Sequence, residues 1–312
     1  MECLMAGDAM FDRAAGAMIG VHAGDALGAG VEFDDAATIA RRYPGGVREI
    51  VGGGPFGWRP GQPTDDTDLT SAIAKGYLDD MDDVVGAAGR HMVEWYRSGP
   101  RDIGGTTRTA LARLARDGDP TTSGSRDEGS QANGSLMRTM PVAVARLDDP
   151  QRRRVDARAL SAITHAHPVC LAACETYYEL AALLIHGADP HNAVALLCEN
   201  EQHPHVKDAL GDAVRCRDAN DLAGPRGGFV LWSLRFAVWA VLNAPDVEEG
   251  LVAVISLGDD TDTNAAIAGG LLGARFGLAS IPERWLRVLE LAPRLLEFTD
   301  TMLRGGDSPD RM

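Results

Sequence analysis

Apolar residues recur at spacings of three and four along almost the whole chain, which is typical of helices that bury one face. On this basis we predict helices over residues 8–23, 66–79, 84–97, 104–116, 135–147, 155–166, 168–187, 190–200, 205–216, 228–243, 246–256, 262–276 and 284–303. No segment shows a run of alternating β-branched residues, and only residues 48–53 are a candidate for a short strand. The pattern therefore predicts an all-α fold, a compact multi-helix bundle.

One of these segments, residues 228–243, is apolar on nearly every side, so we place it in the centre of the bundle. Two stretches, residues 44–63 and 117–131, lack a clear pattern and are rich in Gly, Ser and Asp. The helices on either side of them look alike and no shift in composition marks a boundary, so we predict surface loops near the functional site rather than linkers. Residues 1–312 are expected to form a single domain.

Two of the predicted helices begin with a crowd of acidic residues. Residues 63–74 are PTDDTDLTSAIA, and residues 258–270 are GDDTDTNAAIAGG. Asp and Thr are good helix caps, and an acid near a helix N-terminus is stabilised by about 0.3–1 kcal/mol. One acid is enough for a cap, however, and adjacent carboxylates repel one another. The alternative interpretation is that both helix starts hold the same divalent cations.

The donor atoms of the two motifs indicate which cations these would be. Neither motif contains Cys or His, so zinc is disfavoured. Carboxylate and hydroxyl oxygens suit Mg²⁺, Mn²⁺ or Ca²⁺. Four carboxylates can also bridge a pair of metal ions, so a two-metal site is consistent with the pattern.

The net charge limits the possible partners, and the cysteines indicate the cellular compartment. The formal net charge is −15, from 45 acidic and 30 basic residues, which argues against non-specific binding to nucleic acid or to an anionic membrane. The five cysteines form no CxxC pair and their number is odd, as expected for a reduced cytoplasmic protein. The N-terminus lacks a basic region, so we predict no signal peptide, and no segment resembles a transmembrane span.

Five motifs in order carry a resemblance to a known family. They are GxxxGDALGxxxEF (20–33), RPGQPTDDT (59–67), DIGGTT (102–107), NGSLMR (133–138) and GDDTDTNAAIAG (258–269), and GGFVLWSLRFAVWA (227–240) adds a weaker match. The chain resembles the ADP-ribosylglycohydrolases from about residue 12 to 277, especially the dinitrogenase reductase-activating type that acts on ADP-ribosylarginine. This resemblance implies an all-α bundle with a central site for two divalent cations, Mg²⁺ or Mn²⁺.

The resemblance also implies a set of metal ligands, carried over motif by motif. The first helix start supplies Thr64, Asp65 and Asp66, and the second supplies Asp260, Asp262 and Thr263. Asp259 stands where the family commonly has glycine, so it is left out of the ligand set.

The implied reaction is hydrolysis at the anomeric carbon of ADP-ribose linked to a protein side chain, most directly the guanidinium of arginine. An ADP-ribosylated protein is then the substrate and ADP-ribose a product. Asp102 matches a site acid of the arginine-type enzymes, although its position also suits a helix N-cap. Glu32 matches the glutamate of the entrance loop of the family, and without the motif it would be interpreted as an exposed loop acid. Both are candidates for proton transfer.

The NGSLMR motif is the candidate ligand-binding loop. Asn133, Gly134 and Ser135 precede a predicted helix, so free backbone N–H groups could cradle a pyrophosphate or a ribose. The alternative is a plain loop in which Ser135 caps the helix. For Arg138 we favour a structural role.

Three further residues complete the predicted substrate site. Gly104 belongs to the DIGG motif, and His167 lies where the family often has a histidine near the nucleotide. Phe229 stands where arginine-type enzymes often have an aromatic that stacks on adenine, and core packing is its alternative. Glycines 20, 24 and 28 recur every fourth residue and predict close helix packing.

Other classes of function find little support in the sequence. There is no GxSxG elbow, no P-loop and no GxGxxG after a strand. Within the family, the alternatives are hydrolysis of O-linked ADP-ribose, on serine or on small conjugates, and a non-catalytic or immunity-type protein that binds ADP-ribose or a toxin. No metal ligand or candidate proton-transfer acid is missing, so we favour a hydrolase.

Overall fold

The computed structural model describes residues 2–222 and 227–304, and within these residues the secondary structure is helical. The candidate strand at residues 48–53 contributes one isolated bridge, between Gly53 and Trp58. The predicted all-α fold is confirmed.

The chain forms the α-helices α1 (Glu2–Gly28), α2 (Ala36–Arg42), α3 (Asp65–Asp79), α4 (Val84–Arg97), α5 (Gly105–Asp117), α6 (Met140–Ala145), α7 (Pro150–Ala162), α8 (Pro168–Ile185), α9 (Pro190–Asn200), α10 (Pro204–Arg215), α11 (Val230–Asn243), α12 (Val247–Ile255), α13 (Thr261–Phe276), α14 (Glu283–Leu286) and α15 (Ala292–Arg304). Short 3₁₀ segments cover Glu128–Ser130, Asn133–Arg138, Ala219–Leu222 and Leu278–Ser280.

Prolines explain where the structure divides a predicted helix. The predicted helix 135–147 is a 3₁₀ turn followed by α6, which places Pro141 in its first turn. The predicted helix 284–303 is likewise divided into α14 and α15, with Pro293 as the second residue of α15. Proline has no N–H to donate inside a helix, whereas the first turn does not need one. The short helix α2, capped by Asp35, was not predicted.

Helices α1 and α13 pack against each other through small residues. A Cβ atom on Gly24 would lie 2.0 Å from the carbonyl oxygen of Ala265, and one on Gly20 would lie 2.1 Å from that of Gly269. The helices run antiparallel, because Gly28 at the end of α1 faces Thr261 at the start of α13. The predicted close packing at these glycines is confirmed. It brings the loop that follows α1 to the acidic start of α13.

The most apolar helices lie inside the bundle. Helix α11 buries most of its residues, as predicted for residues 228–243. Helix α8 is long and apolar enough to cross a membrane by length and composition, but 72% of it is buried inside the structure. Its surroundings are those of a core helix.

Candidate active site

Helix α3 is capped by residues other than its two leading aspartates. The Thr64 hydroxyl accepts a hydrogen bond from the backbone N–H of Asp66 (3.3 Å). Asp25, buried on α1, accepts from the backbone N–H groups of Thr64 (3.1 Å) and Thr67 (3.3 Å). Asp65 and Asp66 are themselves 8% and 0% exposed. Capping therefore does not account for these two buried carboxylates.

At the start of α13, too, the aspartate side chain at the N-cap position does not cap the helix. Asp260 occupies the N-cap position, yet its side chain makes no capping hydrogen bond. Its Oδ2 accepts instead from the side-chain amide of Asn133 (2.7 Å). Asp262 accepts from the backbone N–H of Thr263 (2.8 Å) and is 1% exposed. The carboxylates again face inward rather than towards the helix end.

The two acidic helix starts meet. The Thr263 hydroxyl lies 3.4 Å from Oδ2 of Asp66. Carboxylate oxygens of Glu32, Asp102 and Asp262 all lie within 4.8 Å of one another. The fold thus gathers acids from α3, from α13, from the loop after α1 and from the loop before α5.

Acids from all four segments line a pocket of about 250 Å³, whereas Thr64 and Asp66, two of the predicted metal ligands, lie outside its walls. Its walls are Glu32, Phe33, Asp65, Asp102, Gly104, Gly105, Thr106, Thr107, Ala132, Asn133, Gly134, Met137, His165, Gly227, Gly228, Asp259, Asp260, Asp262 and Thr263. Neither predicted loop, 44–63 or 117–131, contributes a residue to these walls.

Burial and mutual repulsion raise the pKa values of these carboxyl groups. Burial raises the pKa of Asp66 and of Asp262 well above the usual range for a carboxyl, and neighbouring carboxylates raise both further. Burial, followed by the charges of Asp102 and Asp260, raises the pKa of Glu32 to about 8. Burial and then the charge of Asp260 raise the pKa of Asp102 to about 6. Without a cation, several of these groups hold protons at neutral pH.

The chemistry of this donor set fits divalent cations. Oδ1 of Asp66 and Oε2 of Glu32 are buried without a hydrogen-bond partner. In the part of the chain that the structure describes, no Lys, Arg or His forms an ion pair with the acids that line this pocket. Buried charges are paired or coordinate metals. Oxygen donors of this kind suit Mg²⁺ or Mn²⁺.

The NGSLMR motif is itself a 3₁₀ turn rather than a loop before a helix. Asn133 and Gly134 line the pocket, whereas Ser135 is 0% exposed and accepts a hydrogen bond from Ser161 (2.8 Å). The buried Arg138 guanidinium donates to the carbonyl oxygen of Gly134 and to the hydroxyl of Thr164. The structural role expected for Arg138 is confirmed, because its guanidinium is buried and binds oxygen atoms of the protein itself.

The N-cap alternative for Asp102 is excluded. Helix α5 begins at Gly105 and its N-cap is Gly104, two residues after Asp102. Burial raises the pKa of Asp65 well above its usual range, and the backbone of Gly104 partly offsets this rise. Glu32 is only 7% exposed, so it is not the exposed loop acid that its position alone would indicate.

Besides Ser135, two more of the predicted substrate residues, His167 and Phe229, lie outside the pocket walls. His167 caps α8, where its Nδ1 accepts from the backbone N–H of Val169 (3.3 Å). Phe229 is partly buried and packs against the hydrophobic core. Core packing, the alternative given for Phe229, is what the structure shows.

His165 was not predicted and lines the pocket in place of His167. Its Nδ1 is 2.7 Å from the Thr164 hydroxyl. Burial and then the Arg138 charge lower the pKa of its imidazole to about 3, so the ring is neutral at pH 7. The THAHP segment offered two histidines two residues apart, and the start of α8 decides which one faces the pocket.

Comparisons with known proteins agree with this geometry. A model of the ADP-ribosylglycohydrolase family matches residues 6–310. The chain is 33% identical over 294 residues to the ADP-ribosyl-[dinitrogen reductase] glycohydrolase of Rhodospirillum rubrum, covering 92% of this chain and 93% of that one. It is 29% identical over 320 residues to the ADP-ribosylarginine hydrolase Tri1 of Serratia proteamaculans (strain 568), covering 99% and 83%.

A solved structure has the same fold. It is described as an ADP-ribosylglycohydrolase-related protein complex and superimposes with a TM-score of 0.83 at 32% sequence identity. The match covers 95% of this chain and 99% of that chain.

Proposed function

Because the chain belongs to the ADP-ribosylglycohydrolase family, we propose that it removes ADP-ribose from arginine side chains of modified proteins by hydrolysing the N-glycosidic bond. The observation that carries the proposal is the meeting of Glu32, Asp102 and Asp262 within 4.8 Å at one pocket. Two relatives whose names specify ADP-ribosylarginine or ADP-ribosylated dinitrogen reductase support the choice of acceptor.

Six residues at the two helix starts are proposed to hold two divalent cations, Mg²⁺ or Mn²⁺. They are Thr64, Asp65, Asp66, Asp260, Asp262 and Thr263. Such cations neutralise the buried carboxylates, polarise ribose oxygens and make water a better nucleophile. Asn133 keeps Asp260 in place through its 2.7 Å hydrogen bond.

Glu32 and Asp102 are proposed to move the protons of the reaction. Hydrolysis forms a bond between the anomeric carbon and a water oxygen, breaks the carbon–nitrogen bond, and transfers a proton from water to the leaving nitrogen. The pKa of Asp102 is about 6 and that of Glu32 about 8, so near pH 7 Asp102 is the better base and Glu32 the better acid. Two carboxyls with separated pKa values can divide the two roles.

The remaining residues of the pocket wall are proposed to bind ADP-ribose. Asn133, Gly134 and Gly104 place backbone at the pocket, where small residues let a ligand approach closely. The neutral ring of His165 lies beside Gly134, since a Cβ atom on that glycine would be 3.2 Å from Nε2. Neutral donors of this kind can bind a phosphate or a ribose in a site whose side chains are otherwise acidic.

The proposal includes a cytoplasmic location and ADP-ribosylated proteins as partners. It includes neither nucleic acid nor a membrane as a partner, and the net charge of −15 supports this.

The test is release of ADP-ribose from peptides mono-ADP-ribosylated on arginine or on serine, with Mg²⁺, with Mn²⁺ and with EDTA. We expect metal-dependent release from the arginine peptide. Release from the serine peptide alone would support the proposed hydrolase activity but contradict arginine as the acceptor. No release from either peptide, with metal bound, would favour a protein that only binds ADP-ribose or a toxin.

A further inference from the structure

Phe33 and Asp259 share an unusual backbone conformation at the mouth of the pocket. Their φ angles are 65° and 72°, and no other non-glycine residue between 2 and 222 or between 227 and 304 has a positive φ. This region is favourable for glycine and unfavourable for a side chain, most of all for a bulky one such as phenylalanine.

The two residues are joined through their backbones. The N–H of Phe33 donates to the carbonyl oxygen of Asp259 (2.7 Å), and the N–H of Asp259 donates to the carbonyl oxygen of Asp34 (2.8 Å). Glycine could make both hydrogen bonds without strain. The loop geometry therefore does not need these side chains, and strained residues that persist tend to lie at functional sites.

Both side chains line the pocket and are available to a ligand. Phe33 is 62% exposed, and its ring makes an edge contact with Phe56 at 6.5 Å between centroids. The carboxylate of Asp259 takes part in none of the hydrogen bonds or ion pairs found within the described ranges. Glu32, next to Phe33, is 7% exposed, and its Oε2 has no hydrogen-bond partner among the described residues. This corner of the pocket thus combines an aromatic ring with two carboxyl groups that have oxygen atoms without a hydrogen-bond partner among the described residues.

One chemical group matches all three features. A guanidinium is a flat cation that stacks on an aromatic ring, pairs with a carboxylate and carries several N–H donors. We infer that Phe33 and Asp259 form a subsite that holds the guanidinium end of the acceptor arginine while its modified nitrogen faces Glu32. This inference rests on the proposed function and adds a specificity determinant to it.

The test compares two changes at each position. Asp259→Gly and Phe33→Gly remove the side chain and relieve the strain, so neither variant is expected to unfold at a lower temperature. Asp259→Asn removes only the charge, and Phe33→Tyr keeps the ring. Val155→Ala, at a 58% exposed position on α7, is the matched surface control. For each protein, kcat/KM is measured on the arginine and the serine peptide, together with inhibition by agmatine and with Mn²⁺ affinity.

We expect kcat/KM of Asp259→Gly, Asp259→Asn and Phe33→Gly to fall at least tenfold more on the arginine peptide than on the serine peptide, mainly through KM. Inhibition by agmatine should weaken in parallel. Phe33→Tyr should retain the kcat/KM on the arginine peptide and the inhibition by agmatine of the wild type. Equal losses on the two peptides, or no loss, would overturn the subsite. A fall in Mn²⁺ affinity of Asp259→Gly would instead make Asp259 a metal ligand. If the wild-type enzyme does not cleave the arginine peptide, the proposed function fails, and binding of agmatine to the wild type, Asp259→Gly and Phe33→Gly, measured by calorimetry, still decides the subsite.

Discussion

The Thr263 hydroxyl lies 3.4 Å from the Asp66 carboxylate, although 197 residues separate them in the chain. Each residue belongs to the first turn of its helix, so this contact fixes the starts of α3 and α13 against each other. Buried acids placed so close together destabilise the fold unless a cation or protons neutralise them. The arrangement therefore predicts that stability depends on metal and on pH together.

Without metal, the protein should become less stable as the pH rises. A carboxyl in the unfolded chain has a pKa near 4, whereas the folded values reach about 6 for Asp102 and about 8 for Glu32. The folded state then binds more protons than the unfolded state, so the free energy of unfolding falls as pH rises from about 4 through these values. Thermal unfolding in EDTA should show a lower Tm at pH 8 than at pH 6.

Bound Mg²⁺ or Mn²⁺ should weaken or reverse this trend, because a cation binds the deprotonated carboxylates. The increase in Tm on adding metal is therefore expected to be larger at pH 8 than at pH 5. Identical Tm curves with metal and with EDTA would contradict a metal site at these helix starts.

Asp66→Asn separates metal binding from helix capping. Losing even a residue that supports a ligand costs about 10–100-fold in metal affinity, and losing a proposed ligand should cost at least as much. Calorimetric titration with Mn²⁺ measures this. In EDTA at pH 8 the variant should be no less stable than the wild type, since a neutral amide replaces a buried, repelled carboxylate.

The matched control is Asp189→Ala, which removes an exposed aspartate that caps α9 through a 3.0 Å hydrogen bond. It should lose about 1 kcal/mol of stability and leave Mn²⁺ affinity unchanged. If Asp66→Asn loses stability and keeps its Mn²⁺ affinity, as this control does, the carboxylate of Asp66 has only a structural role.

Gly24→Ala tests the helix contact that carries the second acidic start. Its new Cβ would lie 2.0 Å from a backbone carbonyl oxygen of α13, which cannot move aside as a flexible side chain could. We expect more than about 3 kcal/mol of destabilisation or failure to fold. Gly45→Ala is the control, because its Cβ would meet nothing within 4 Å. There we expect no loss and up to about 1 kcal/mol of gain. Similar unfolding curves for the two variants would show that α1 and α13 are not in this close contact.

The sequence predicts this contact and both acidic helix starts for physical reasons. Glycines at 20, 24 and 28 fall on one face of a helix, and runs of Asp and Thr before small residues mark a helix start. What it cannot supply is the environment created by chain segments far apart. The burial of Glu32 depends on α13, which lies more than 200 positions away, and the left-handed conformation of Phe33 is one that phenylalanine rarely adopts.

His165 and His167 illustrate the same limit at shorter range. Both lie in THAHP, and local sequence offers no preference between them. The start of α8 commits His167 to capping and leaves His165 against the pocket. Which of the two histidines lines the pocket therefore depends on where α8 begins.

His165→Ala should raise KM for the ADP-ribosylated peptide by about tenfold, because it removes a neutral ring that lies beside Gly134. His167→Ala should leave KM unchanged and lower stability by about 0.5–2 kcal/mol, the usual cost of a lost N-cap. Steady-state kinetics and thermal unfolding of both variants provide the comparison. The reverse pattern, with KM altered only by His167→Ala, would return His167 to the substrate site.

The pH dependence of the reaction should report on Glu32 and Asp102. In the proposed mechanism Asp102 is ionised and Glu32 is protonated in the active enzyme, so kcat/KM should be bell-shaped. Without metal the pKa values are about 6 for Asp102 and about 8 for Glu32, and bound cations shift the limbs of the active enzyme to lower pH than these values. The two carboxyls interact, so the limbs belong to the pair.

Asp102→Asn should remove the acid limb and Glu32→Gln the alkaline limb, each with a loss of about 10²–10⁴ in kcat. The measurement is kcat/KM from pH 5 to 9 on the arginine peptide, with Mn²⁺ affinity determined for each variant as a control. Carboxylate oxygens of Glu32, Asp102 and Asp262 lie within 4.8 Å of one another. If a variant loses activity and Mn²⁺ affinity together, its carboxyl is therefore a metal ligand. If a variant loses activity, keeps its metal and retains both limbs, its carboxyl positions the substrate without moving a proton.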